Sequence, residues 1–337
     1  MSRGPDVCLI RFSSIGDIVL TTAFLRQVHT QLPGARVVYI TKREFADLLR
    51  YNPYVDHLIV YDSDSGLRGL NQLADDLKDT TFDFIFDLHN NQRSHYLTHR
   101  LKYRKIRRIH KSRLTRALLV YTKLNLYRST PSIPERYLKT GHDAGIKDDG
   151  LGLELYWPPE TEQTLASRLL DEAPLLALAP GAGFYTKMWP LDYWKKLIPD
   201  LLEHHPHHLA LIGGKNETER FNELVLDDRV INLAGQLPLL QSAALIQRSA
   251  ALICNDSGVM HMAAAVQTPM VAIFGSTTRH LGFFPFRARV EIVENNHQWC
   301  RPCSHVGRAS CPLDHFNCMR ALTPDHVHRA LNRLLGA

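Results

Sequence analysis

The 337-residue chain lacks any run approaching the ~18 to 20 uninterrupted apolar residues that a membrane-spanning helix needs. Its N-terminal stretch, Met1 to Asp6, has neither the charged nor the apolar region of a secretory signal, so a cytoplasmic location is expected. No complete G-x-G-x-x-G follows the first apolar run, and there is no G-x-x-x-x-G-K-[ST] loop. A dinucleotide oxidoreductase and a P-loop NTPase both lose ground on those absences. Low-complexity tracts and short repeats are also missing, and cysteine is scarce outside one stretch near the C-terminus.

What is present suits two domains of roughly 150 residues each. Apolar runs at 7–12, 35–41, 57–61 and 82–88 predict strands, and amphipathic stretches at 18–32, 45–51 and 67–78 predict the helices between them. The pattern breaks at 151–159, where Pro158-Pro159 predicts a linker that joins neither a helix nor a central strand. It restarts with strands expected at 175–179, 209–214, 230–233, 250–254 and 270–275, and helices at 193–204, 217–225 and 239–248. The expected fold is therefore α/β, with two Rossmann-like doubly wound parallel-sheet domains at 1–157 and 158–337, the second closed by a terminal helix over 324–335.

The net charge of +6 is concentrated. Nine Lys and Arg, Arg104 and Arg107 among them, lie between positions 100 and 116 with no acid. The interleaved Leu101, Tyr103, Ile106 and Ile109 give the stretch a structural role too, and it predicts a helix, a strand at 106–110 and a helix at 114–124. A solvated basic face and an anion-attracting surface are both consistent with it.

Four polar turns fall at expected strand carboxyl ends, where open α/β sheets bind ligands: Ser13 to Asp17, Asp87 to Arg93, Gly181 to Lys187, and Asn255 to Gly258. The last is an anion-binding corner, with Asp256, a hydroxyl on Ser257 suited to capping the following helix, and Gly258, which allows close backbone approach.

Taken in order, Ser14-Ile15-Gly16-Asp17, Pro180-Gly181-Ala182 with Lys187-x-Trp189-Pro190, Gly213-Gly214, and Asn255-Asp256-Ser257-Gly258-x-Met260-His261 resemble the ADP-heptose:lipopolysaccharide heptosyltransferases, glycosyltransferase family 9. The resemblance spans nearly the whole chain. It implies a GT-B fold of two domains facing a cleft, with the acceptor on the N-terminal half and the nucleotide sugar on the C-terminal half. It also implies an inverting transfer from ADP-heptose to the lipid A-linked inner core of lipopolysaccharide at an anionic inner-leaflet surface, with no catalytic metal and no nucleic-acid partner.

On that resemblance Asp17 is the base that deprotonates the acceptor hydroxyl; a carboxylate there also suits the N-cap of a helix beginning at Ile18. Lys187 would contact the donor phosphates, with Thr186 adding a hydroxyl and Gly181 close backbone approach. Ala182 and Gly183 stand where some members carry two threonines, leaving more of the phosphate to backbone N–H groups. Asp256, Ser257, Gly258 and His261 would hold the nucleotide sugar and Glu217 the ribose hydroxyls; His261 also suits a buried, backbone-satisfied histidine. On the acceptor side stand Asp87, which is the runner-up base, with Asn90, Asn91, Arg93, Arg104 and Arg107.

Cys300-x2-Cys303-x7-Cys311-x6-Cys318 places four of the six cysteines within nineteen residues. A structural zinc site and a set of reduced thiols compete there, while Cys8 and Cys254 read as core. His204-His205-Pro206-His207-His208 resembles a metal tract but reads as a helix stop. Two other functions stand beside the first: a GT-B transferase with another donor such as a UDP-sugar, and a non-catalytic nucleotide- or nucleic-acid-binding protein.

Overall fold

The computed structural model describes residues 4–168 and 173–336; the first three positions of the N-terminal stretch, 169–172 and 337 lie outside the described residues. The chain divides into two compact units: residues up to Lys111 with Pro131–Trp157, and Ser112–Thr130 with everything from Pro158 onward.

The first unit runs β1 (Asp6–Ile10), α1 (Ile15–Val19), α2 (Thr22–Gln31), β2 (Arg36–Lys42), α3 (Asp47–Arg50), β3 (His57–Tyr61), α4 (Gly66–Asp76), β4 (Thr81–Asp87), α5 (Gln92–Arg100) and β5 (Lys102–Arg108). The strands form one parallel sheet in the order β3-β2-β1-β4-β5. β1 is buried along its whole length, as a strand covered on both faces must be. Its Cys8 and Ile10 meet Phe12, Ile40, Phe82 and Leu97 in the core.

Three local features depart from expectation. The helix expected over 18–32 is two helices, because the Thr21 and Thr22 hydroxyls donate back to the Ile18 and Val19 carbonyls at 2.7 and 2.8 Å and compete with the helical ladder. The strand expected at 106–110 is β5, which starts four residues earlier and ends two earlier, at the sheet edge; its Lys and Arg keep that edge from pairing with another chain. A helix not expected at all, α7 (Ile133–Thr140), follows α6 (Arg113–Thr122). Its signal was Ser132-x-x-Glu135, whose carboxylate accepts from the Ser132 backbone N–H at 2.6 Å.

The second unit adds α8 (Pro159–Ala166), β6 (Leu175–Ala179), α9 (Leu191–His204), β7 (His208–Leu211), α10 (Thr218–Asn222), β8 (Val230–Asn232), α11 (Leu239–Arg248), β9 (Ala251–Asn255), α12 (Gly258–Ala265), β10 (Met270–Phe274), β11 (Val290–Glu294), α13 (Asn317–Arg320) and α14 (Pro324–Leu335). Its six parallel strands are ordered β11-β10-β9-β6-β7-β8. The proline pair does not exclude a helix: Pro159 opens α8 at the position where a missing N–H is harmless. Trp189 and Trp194 meet edge to face at 5.2 Å in the core, and α14 buries Val327, Ala330, Leu331 and Leu334 against it.

Both sheets reverse their winding once, between β1 and β4 in the first and between β6 and β9 in the second. Ligands of doubly wound sheets bind at such reversals, beyond the strand carboxyl ends. Among the described residues no helix is long and apolar enough to cross a membrane.

Candidate functional site

Arg11 leaves the end of β1 still in register, its N–H donating to the Ile40 carbonyl at 3.1 Å. Each guanidinium nitrogen then has one partner: Nε donates to the Ser13 carbonyl at 2.8 Å, Nη1 to the Leu88 carbonyl at 2.7 Å, and Nη2 pairs with Asp17 Oδ1 at 2.6 Å. The other oxygen, Asp17 Oδ2, accepts from the Ser14 backbone N–H at 3.2 Å and its hydroxyl at 3.0 Å. Asp17 therefore does not cap a helix starting at Ile18. Ser14 is the N-cap, and Asp17 sits inside the first turn of α1.

Burial pushes the Asp17 carboxyl up, but Arg11 and the two Ser14 bonds outweigh it and hold it below the usual carboxylate range. With its side chain 19% exposed, an ionised oxygen can still meet a ligand. Around the pair stand His89 and the phenols of Tyr39 and Tyr137. Burial first, then Arg11 and Lys111, push His89 down to about 3, so the ring is neutral; its Nδ1 is buried without a partner. Sequence reasoning missed Arg11 and this role for His89, although a lone arginine in an apolar strand run was the available signal.

Asp87 takes a different part from that of a reserve base. It has zero exposure, and its oxygens accept from the His89 and Asn90 N–H groups at 3.1 and 2.6 Å, from the Ser94 hydroxyl at 2.8 Å and from Arg108 at 3.3 Å. It knots the loop after β4. Asn90, at φ 47°, donates to the Ile109 carbonyl at 2.8 Å, and Asn91 caps α5, leaving Arg93 exposed beside them. The basic stretch is less bare than its sequence: Arg100, Arg104, Arg107 and Arg108 pair with Asp75, Asp83, Asp143 and Asp87.

In the second unit Asp256, buried at the end of β9, accepts from Lys187 Nζ at 2.9 Å and from the Thr277 hydroxyl at 2.6 Å. Asn255 ties the neighbouring turns together. Its side chain accepts from the Trp189 N–H at 3.1 Å and donates to the Pro180 carbonyl at 2.7 Å, which fixes Lys187 and Gly181 to one strand end. Gly181 lets the Glu217 carboxylate come close to the backbone: a Cβ there would stand 1.8 Å from Glu217 Oε1, so a side chain would displace that carboxylate. Glu217 accepts from the Gly214 N–H at 2.8 Å, so Gly181, Gly214 and Glu217 form one corner.

Ser257 does not cap α12 through its side chain as expected; its hydroxyl is buried without a partner beside Gly258. His261, one turn on, is 4% exposed. Thr186 is 1% exposed and its hydroxyl accepts from the Arg308 N–H at 2.8 Å and the Ser276 hydroxyl at 3.1 Å, which ties it to its own unit. In the histidine tract, His204 joins Asp200 and, from α14, His328: the one trio of metal-ligating side chains among the described residues whose ligand atoms lie within 4.8 Å of one another.

The chain matches the model of glycosyltransferase family 9 (heptosyltransferase) over residues 70–313. It is 25% identical to lipopolysaccharide heptosyltransferase 2 of Escherichia coli K12, with 98% of each chain covered. In fold it is similar to a glycosyl transferase family 9 structure from Veillonella parvula, at a TM-score of 0.82 and 21% identity over 98% of this chain and 97% of that one. It is also similar to E. coli heptosyltransferase WaaC with ADP-2-deoxy-2-fluoro heptose, at a TM-score of 0.70 and 18% identity over 97% and 99%. Two parallel-sheet α/β units are the GT-B architecture, and this chain is an enzyme belonging to glycosyltransferase family 9, the heptosyltransferases.

Proposed function

We propose that the enzyme transfers heptose from ADP-heptose to the inner core of lipopolysaccharide with inversion at the anomeric carbon and without a catalytic metal. The observation that carries the reading is the Arg11–Asp17 pair beyond β1. An inverting transfer needs one base at the acceptor hydroxyl and positive or N–H groups at the leaving diphosphate. Asp17 removes the hydroxyl proton as that oxygen attacks the anomeric carbon. The bond from anomeric carbon to phosphate oxygen breaks on the opposite face, and its electron pair leaves with ADP. A carboxylate held this ionised is a weak base in the ground state; it takes the proton only as the new bond acidifies the hydroxyl. Its main contribution is an oriented oxygen that meets the acceptor already ionised.

The developing charge on ADP falls to Lys187 and to the N–H groups opening α12, with the Ser257 hydroxyl supplying a further donor and Glu217 the ribose contact. Lys187 gives up Asp256 for phosphate, and Thr277 keeps the remaining carboxylate hydrogen-bonded. On the acceptor side Arg93 is exposed to receive an anionic oligosaccharide, with Arg104 and Arg107 still 75% and 38% exposed despite their pairs. These residues would also draw the enzyme to an anionic inner leaflet, at about 1 kcal/mol per well-placed cation.

The test is transfer from ADP-heptose to defined truncated acceptors, presented in anionic and in neutral vesicles, with product linkage determined and ADP and UDP binding titrated alongside. ADP-selective binding and an inverted heptosyl product are expected, with a lower acceptor KM on anionic vesicles. UDP-selective binding would move the donor assignment to another nucleotide sugar, and retained configuration would remove the single-base mechanism.

A further inference from the structure

At the amino edge of the second sheet, opposite the turns that carry Lys187 and Asp256, α9 passes into β7 through His204-His205-Pro206-His207-His208. Alone the tract reads as a helix stop. The fold adds two side chains that the tract does not contain: Asp200, one turn back on α9, and His328 from α14. The rings of His204 and His205 lie 5.2 and 5.4 Å from that of His328, and the His207 ring lies 6.0 Å from that of His205. Four imidazoles and one carboxylate therefore share a corner, with His205 8% exposed at its base and His204 exposed at its rim.

Hydrogen bonds fix which nitrogen faces which. A carboxylate only accepts, so His328 Nδ1 carries a proton and donates it to Asp200 Oδ2 at 2.5 Å. The neutral ring then turns the Nε2 lone pair toward His205 Nε2, 3.3 Å away. That separation is long for a hydrogen bond from an N–H group. It does match two ligands of one ion, because metal–nitrogen bonds of about 2.0–2.1 Å put tetrahedral ligands roughly 3.3 Å apart. Asp200 behind His328 is the carboxylate that commonly holds the far nitrogen of a metal-bound imidazole. His204 Nδ1 donates to the Asp200 carbonyl at 2.8 Å, which leaves Nε2 as its ligand atom. Two further polar atoms at the corner, His207 Nδ1 and Asn332 Oδ1, are buried without a hydrogen-bond partner, and an orphan of that kind points to a missing ion or water. Burial, then His328 and His207, push the His205 ring below the usual histidine range, so it is neutral and able to coordinate.

We infer that His205 and His328 bind one zinc-class divalent ion between their Nε2 atoms, with Asp200 orienting His328 and His204 the third imidazole within reach. A ligand atom of His204 already lies within 4.8 Å of one on His328. Imidazole nitrogens suit zinc, copper and nickel over the harder divalent ions. The negative end of the α9 dipole, one residue before His205, favours a cation in the same place.

The ion would act as a clamp. His205 sits where α9 gives way to β7, and His328 sits on α14, so one ion joins the C-terminal helix to the body of its unit beside the apolar contacts of Val327, Ala330, Leu331 and Leu334. An ion bound only by the folded chain stabilises it. The corner lies at the sheet edge away from Lys187 and Asp256, so the clamp holds α14 and takes no part in transfer, and the inference does not rest on the donor reading given above. The four cysteines near the C-terminus, all free, line a separate cavity that none of these histidines enters, so metal on thiols is a distinct outcome.

The experiment uses the full chain without a histidine tag, stripped with chelator and titrated with zinc and with cobalt(II), beside His205→Gln/His328→Gln. The wild type is expected to bind one equivalent more than the double variant. That equivalent should give cobalt bands in the visible without thiolate-to-cobalt charge transfer, and zinc should raise the Tm of the wild type by several degrees but not that of the variant. Asp200→Asn should keep the stoichiometry and lose roughly 10- to 100-fold in zinc affinity, as removal of an orienting partner does. Should the double variant fail to fold, acylation of the wild-type histidines by diethyl pyrocarbonate replaces it: zinc must slow modification of His205 and His328 and leave that of His297 unchanged. Three results overturn the site: equal stoichiometry and equal Tm gain in wild type and double variant, a cobalt spectrum showing thiolate charge transfer only, or His205 and His328 modified as fast with zinc as without it.

Discussion

Each unit places one carboxylate against one cation beyond the carboxyl edge of its sheet, and the two pairs are built to opposite ends. Arg11 is locked by two backbone carbonyls before it reaches Asp17, and Ser14 holds the other oxygen. Nothing in that pair is free to leave, so it suits chemistry that needs one fixed, ionised oxygen. Lys187 meets Asp256 with a single ammonium on a flexible stem, while Thr277 gives the carboxylate a second partner. That pair is suited to exchange with a ligand phosphate. A guanidinium fork fixes geometry, whereas an ammonium supplies movable point charge.

The sharpest way to break this comparison is to remove one member from each pair. Asp17→Asn should lower kcat by roughly 10² to 10⁴ with the donor KM little changed, since it removes the base but keeps the size and much of the hydrogen bonding. Lys187→Met should instead raise the donor KM by about tenfold or more, the loss of one charge-assisted bond of about 1.5–3 kcal/mol. Wild-type turnover in Asp17→Asn would take the first pair out of the chemistry, and an unchanged donor KM in Lys187→Met would take the second out of donor binding.

The next effect is a shift rather than a loss. Arg11 is the largest influence holding Asp17 low, so the acid limb of kcat/KM in the wild type should lie below the usual carboxylate range. Arg11→Met should move that limb to higher pH, because the carboxyl then regains protons more readily. The depressed value also means that Asp17 stabilises the fold above its unfolded pKa and that this contribution is lost as the pH falls through the folded one. A pH–rate profile and acid unfolding of the two proteins check both signs; a limb that stays put in Arg11→Met would mean that another group titrates.

The smallest effect belongs to Ser257, whose buried hydroxyl lacks a partner. Ser257→Ala should leave stability unchanged or raise it by up to about 1 kcal/mol, while weakening ADP binding several-fold. If thermal unfolding instead shows a clear loss of stability, the hydroxyl holds the fold and not a ligand.

Much of this was legible beforehand. β6 and α11 fall where continuous apolar runs and amphipathic periodicity place them, and the four polar turns lie, as expected, at the carboxyl ends of β1, β4, β6 and β9. Less was legible where a local signal competed with a longer-range one. Pro158-Pro159 read as a linker because helix breaking is visible in sequence, and tolerance at a first helical turn depends on where the helix begins. The capping role that also suited Asp17 falls away because α1 begins at Ile15, three residues before the expected start at Ile18. The basic stretch read as bare because its acids, Asp75, Asp83, Asp87 and Asp143, come from elsewhere in the chain.

The sequence alone determined the two alternating α/β halves and the residue types at each strand end, because periodicity and turn chemistry are local. Only the tertiary structure decided what those residues do for one another. Arg11 reaches Asp17 across a turn, Asn255 joins Trp189 to Pro180, Glu217 covers Gly181, and four cysteines meet around one cavity. All but the first are contacts between distant segments, fixed by sheet order and by the burial of groups that water would otherwise satisfy.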